Sequence, residues 1–243
     1  MDFFVGDDTG LVIDWTQMPT YNTIMSIAVG AGLIMLVLLG RDLHRNENFK
    51  PEGWALASGT FGLILTITGT HMTLTWPLAT YFPFDNIIFG ETSLGFGVLL
   101  LAVAFYLWKR GTALVASKDR AAEAASVAKP LGIFVLGLGL ALFAIAAAGV
   151  VFQLFAAPAD EPISGAFARW PWLEAIFMSG LFALIGAGAV IFPFTLSSFS
   201  SIRPLSGIAK FMGLMWGVAG IAFLLFGALN FYTHIGLILN TMN

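Results

Sequence analysis

Six long apolar stretches separated by short polar gaps dominate the chain, at approximately residues 21–39, 54–74, 86–108, 130–155, 172–192 and 211–232. A helix needs roughly 20 residues to cross a hydrocarbon core of about 30 Å. Each stretch is of that order, so the pattern predicts an all-α membrane protein, a six-transmembrane-helix bundle with short loops. No gap exceeds about twenty residues, too few for a separate soluble domain, and 1–243 reads as a single transmembrane domain. Residues 1–20 lack a basic start and a small-residue cleavage site, so they are expected to be retained. Within them Leu11, Val12, Ile13, Trp15 and Met18 stand among acids and read as a short segment resting on the outer surface or capping the bundle. The Ala-rich, mixed-charge stretch 109–129 reads as a polar continuation of the third helix.

Composition agrees with this reading: 58% hydrophobic and 10% charged residues exclude an ordinary water-soluble domain. The charges then orient the chain. Ten of the eleven Lys and Arg residues lie in the gaps after the first, third and fifth stretches, and only Arg169 lies on the other side. Because Lys and Arg are retained on the cytoplasmic face, those three gaps are expected to be cytoplasmic and the N- and C-termini extracytoplasmic, including the segment 1–20. Counting the acids gives about +5 inside and −8 outside, consistent with the stated −3. The expected location is a prokaryotic plasma membrane, crossed several times.

Several chemistries are excluded by what is absent. With no Cys there are no disulfides, thiolate metal sites or Cys nucleophiles. No Gly-rich phosphate loop, GxSxG or HExxH motif occurs, and the basic runs are those expected of membrane topology rather than of nucleic-acid binding.

Polar residues inside or at the edge of the spans are therefore the functional candidates. His71 on the second helix and Glu91 on the third each stand about 25 Å from their cytoplasmic ends, on helices joined by a short connection. The pair is expected to meet. Thr60, Thr68 and Thr75 share the His71 face, which is expected to turn toward protein, and Ile87, Ile88, Leu94 and Gly95 surround Glu91 in apolar company. Glu174 begins the fifth helix at nearly the same level, Asn230 and His234 lie one turn apart near the end of the sixth, and Gln153 ends the fourth. The sequence of polar residue, outward turn and Glu occurs twice, as His71 with Glu91 and as Gln153 with Glu174, a faint sign of duplication. Gly213 and Gly217, and Ser179, Ala183 and Ala187, form small-residue faces suited to close packing within the bundle or in an oligomer.

Three functions fit these candidates. The first is a transition-metal site, copper favoured, formed by His71 and Glu91 with Glu174, His234 or Met72, for metal handling or a membrane redox step. The second is a b-type haem carrier with His71 and His234 as axial ligands. The third is a non-catalytic accessory or scaffold subunit without a cofactor, whose polar cluster fixes helix packing. Expected partners are the lipid bilayer and a homo-oligomer or larger membrane complex, with no nucleic acid.

The residues Gly69-Thr70-His71-Met72, Trp76-Pro77 and Phe89-Gly90-Glu91, taken with six spans and outward termini, resemble a family of uncharacterised integral membrane proteins of actinobacteria and archaea. The resemblance implies a prokaryotic membrane bundle. It implies no activity, and no residue role is carried over from it.

Overall fold

Proline starts and polar caps divide the apolar sequence into helices. The computed structural model describes residues 13–45 and 48–242. Eight α-helices follow in order among them: α1 (Asn22–Arg45), α2 (Pro51–Thr75), α3 (Pro83–Asp85), α4 (Thr92–Ala116), α5 (Arg120–Ala128), α6 (Gly132–Val151), α7 (Pro171–Thr195) and α8 (Gly207–Thr241). A π-helical turn, Asn86–Glu91, fuses α3 to α4. Proline takes the first position of α2, α3 and α7, where its missing N–H costs nothing. Asp119 caps α5 and Ser206 caps α8 through their side chains.

All six predicted stretches are helical, and the chain is an all-α, multi-pass membrane protein. Five helical segments among the described residues are long and apolar enough to cross a bilayer. The exception is α2, which has the length, at 25 residues, but whose hydropathy is diluted by Thr and Gly. It packs along α4 and so belongs to the same layer. The polar stretch 109–129 does continue the third helix as far as Ala116, after which Ser117 is extended and α5 starts afresh. The last helix runs to Thr241, beyond the expected end near 232, because residues 152–170 fold against its terminal turns: Asn240 Nδ2 donates to the carbonyl of Asp160 at 2.8 Å and Pro162 packs on Gly236.

Three closely packed helix pairs build the bundle: α1 with α8, α2 with α4, and α6 with α7. Glycine lets their backbones touch. A Cβ on Gly30 of α1 would lie 2.6 Å from the carbonyl oxygen of Gly220 on α8, and one on Gly139 of α6 would lie 2.9 Å from that of Gly186 on α7. Small residues at such crossings are the usual means of helix association where there is no hydrophobic drive between helices. Gly213 and Gly217 do not serve this purpose, since a Cβ on the first would meet only Val37 at 3.9 Å and one on the second would meet nothing within 4 Å. Ser179 does lie at a crossing, buried against Gly149 of α6.

The pairs form a ring in the order α4, α2, α1, α8, α7, α6. Contact between α6 and α4, which would close it, is sparse. Near the start of α1, Trp15 stacks on Phe82 with ring centroids 5.6 Å apart and Met18 packs on the core, as expected of a segment resting on the bundle. Leu11 and Val12 lie outside the described residues.

Candidate functional site

The five expected metal ligands do not gather into one group. Among the described residues no three His, Asp or Glu side chains come together in a way that could hold a metal ion. His71 is exposed on α2, not turned into the bundle, and its Nδ1 lies 3.0 Å from the hydroxyl of Tyr21. The two groups share one hydrogen bond, its donor set by the His71 tautomer. Nε2 faces Thr75 Oγ1 at 3.5 Å, while that hydroxyl gives its own hydrogen to the His71 carbonyl at 2.7 Å. Both ring nitrogens thus have protein neighbours.

Glu91 stands at the same height as His71, because Gly90 packs against Met72 and Thr73. The two side chains nevertheless form no hydrogen bond or ion pair. Glu91 is exposed, whereas Ile88 and Gly95, expected on its face, are buried. The wider π turn accounts for Ile88, which turns inward while Ile87 stays exposed with Glu91; Gly95, in regular helix beyond it, is covered by Leu138 of α6. Met72 is fully buried in the core beneath Gly90, a packing residue rather than an available thioether. The threonine stripe also faces outward more than expected. Thr60, Thr68 and Thr75 each satisfy their hydroxyl on the carbonyl four residues earlier, so they need no partner on another helix.

Glu174 and His234 belong to a different place, under the segment 152–170. Ala157 N donates to Glu174 Oε2 at 2.6 Å, and His234 Nε2 lies 3.8 Å from Glu161 Oε1. The Glu161 side chain is nine-tenths buried, and that burial pushes its carboxyl above the ordinary range. Two residues of this segment, Gln153 at φ 54° and Ile163 at φ 70°, hold left-handed backbone without being glycine, which strains the turn that covers the pair.

A second polar cluster lies at the opposite, basic end, and sequence reasoning missed it. Asp119 Oδ1 accepts from Ala122 N at 3.1 Å and Ser201 N at 2.7 Å, and its Oδ2 accepts from Ser200 Oγ at 2.5 Å. Ser201 Oγ in turn donates to the Leu43 carbonyl, and His44 Nδ1 donates to the Ser200 carbonyl at 2.7 Å. Burial alone would raise the Asp119 carboxyl; the hydrogen bonds outweigh it and hold the group below the usual carboxylate range. This latch ties α5 to the end of α1 and to the loop before α8. An Asp directly before an Ala-rich run signals the cap, but nothing in one dimension signals its serine partners.

The latch matters because α5 covers one end of a large cavity in the bundle. That cavity has a volume of about 900 Å³ and runs between α1, α4, α6, α7 and α8. Its walls are apolar, exemplified by Leu33, Phe96, Leu138, Phe182, Met212 and Phe226. At the basic end it is lined by Arg41, His44, Arg45 and Lys210, and no carboxylate lines it among the described residues. Neither His71 nor His234 reaches it.

No curated protein and no solved structure matches this chain. Residues 18–236, nearly the whole sequence, match the family described as Protein of unknown function (DUF981), and the chain belongs to that family.

Proposed function

We propose that this membrane protein holds a long-chain lipid in the cavity between its helices. The cavity's size and lining carry the reading. Left empty, about 900 Å³ of apolar space would forfeit the dispersion contacts of every side chain that lines it. Water is a poor occupant, because it needs two to four polar partners and the walls offer few. An acyl or isoprenoid chain fits both the volume and the chemistry. The sparse contact between α4 and α6 gives it a way in from the bilayer.

The charge distribution supports an orientation with the basic end, the α5 latch included, in the cytoplasm, and both termini outside a prokaryotic plasma membrane. A lipid in the cavity is favoured over a metal or haem centre because neither histidine expected as a ligand lines that space, and each ring already has a protein neighbour.

The test is lipid extraction and mass spectrometry of protein purified through repeated exchange of a mild detergent. Near-stoichiometric retention of a long-chain lipid is expected, with less in Gly213→Phe, whose ring would enter the cavity from a wall position with free space beside it. Equal and sub-stoichiometric amounts in the wild type and the variant would sink the proposal.

A further inference from the structure

The proposed occupant has a head as well as a chain, and the mouth of the cavity bears on what that head is. Arg41, His44 and Arg45 from the last turns of α1, and Lys210 from the first turn of α8, line the same end. Arg41 lies 3.9 Å from Asp42, but Arg45 and Lys210 enter no ion pair among the described residues. Both of these side chains are exposed, and no acid lines the cavity to neutralise them.

The tendency of membrane proteins to keep cations on one side explains why these residues are at this end. It does not explain their selection, since Lys50, Lys109, Arg110, Lys129 and Arg203 share the end without lining the cavity. A second observation comes from the wall. Tyr106, in the half of α4 nearer this end, lines the cavity, and its hydroxyl is buried with no hydrogen-bond partner in the protein. A buried hydroxyl without a partner costs on the order of 1–3 kcal/mol, and a polar group on the occupant would relieve it.

We infer that the cavity takes an amphiphile with an anionic head, a phosphate or carboxylate, held at the mouth by Arg45 and Lys210 and hydrogen-bonded by Tyr106, with its chain among the apolar helices. This rests on the lipid-holding reading above. Guanidinium and ammonium groups attract such a head both as charges and as donors. The mouth lies at the level where lipid headgroups begin, so the chain can remain in the bundle while the head meets the cations.

Binding can be measured on purified protein in a neutral detergent with two fluorescent probes of identical acyl chains, one with a phosphatidylglycerol head and one a diacylglycerol, which carries no anionic group. The anionic probe is expected to bind about tenfold more tightly, and added salt should narrow the gap. The double variant Arg45→Gln/Lys210→Gln, at two exposed positions, should abolish the preference by lowering the affinity for the anionic probe toward that for the diacylglycerol. Tyr106→Phe should weaken the anionic probe, since its hydroxyl has no protein partner to lose. Equal wild-type binding of both probes overturns the anionic head while leaving the lipid reading intact; binding of neither overturns both. Displacement of the anionic probe by inorganic phosphate alone, at a concentration matched for ionic strength with chloride, would mean that a free anion and not a lipid occupies the mouth, and would overturn the assignment.

Discussion

The hydroxyl of Tyr21 lies 3.0 Å from Nδ1 of His71, and this bond joins the residue before α1 to the C-terminal end of α2. The two rings also meet edge to face with centroids 5.7 Å apart. The imidazole singled out as a metal ligand is thus engaged by an aromatic neighbour that the spacing along one helix could not reveal. Tyr21→Phe keeps the ring contact and removes the hydrogen bond, and should lower stability by about 1 kcal/mol. Thermal unfolding in detergent reads this.

His71→Ala separates the structural role from the metal role. On the geometry here it should lower stability by about 1–2 kcal/mol through loss of the Tyr21 bond and the ring contact. The metal content of chelator-free protein, measured by elemental mass spectrometry, should be the same in wild type and variant. Stoichiometric copper, zinc or iron that disappears in the variant would restore His71 as a ligand.

Asp119 offers a sharper loss at the other end of the bundle. One carboxylate caps α5 and also holds Ser200 and Ser201. Asp119→Ala should cost about 1–2 kcal/mol and loosen α5 first, seen as faster hydrogen exchange at Arg120–Ala128 than elsewhere. Its pKa is lowered in the folded protein, so the native state holds fewer protons than the unfolded chain near the ordinary value of 3.8. The stability it contributes is present above that value and is lost as pH falls through the lowered one. The variant should lack this acid-side decline.

How far the sequence reveals this molecule depends on the range of the forces involved. Helix number follows from bilayer thickness, a constraint that acts on each stretch alone, and all six apolar stretches are helices. The height of Glu91 follows from counting rise per residue, but its direction does not, because it closes a wider π turn. The threonines of α2 look like a partner-seeking stripe until their hydroxyls are seen to bond backward along their own helix. The cavity is the least legible feature. It exists because three glycine-sealed pairs stand apart from one another, a property of the assembled ring and not of any one helix.

Glycines in this chain divide sharply by what surrounds them. A Cβ on Gly30 would run into the Gly220 carbonyl and the backbone of Leu224, none of which can swing aside. Gly30→Val should force α1 and α8 apart at a cost of about 1–3 kcal/mol or more. Gly217→Ala, with nothing within 4 Å, should be neutral or stabilising by up to about 1 kcal/mol from helix propensity. Similar losses in both variants would show that α8 packs through the face carrying Gly217 instead.

Glu161 should make the outer segment respond to pH in the opposite sense to Asp119. Its carboxyl is buried beside His234, and burial raises its pKa above the ordinary 4.5. Between that value and the raised one, the folded protein binds more protons than the unfolded chain, so stability falls as pH rises through this window. Above the raised value the ionised group is held where water is scarce, under a turn already strained at Gln153 and Ile163. Acidification from neutrality toward pH 4.5 should therefore tighten residues 152–170 against α8, measurable as slower amide exchange there. Glu161→Gln, which carries no titrating proton, should reduce this dependence to what Glu174, bonded to Ala157 N of the same segment, contributes. The Asp119 response, confined to lower pH and to the far end of the bundle, should survive unchanged, so the two carboxylates can be told apart in a single pH series. If residues 152–170 instead exchange faster on acidification in the wild type, attraction between charged Glu161 and protonated His234, at 3.8 Å, outweighs the burial of the carboxylate.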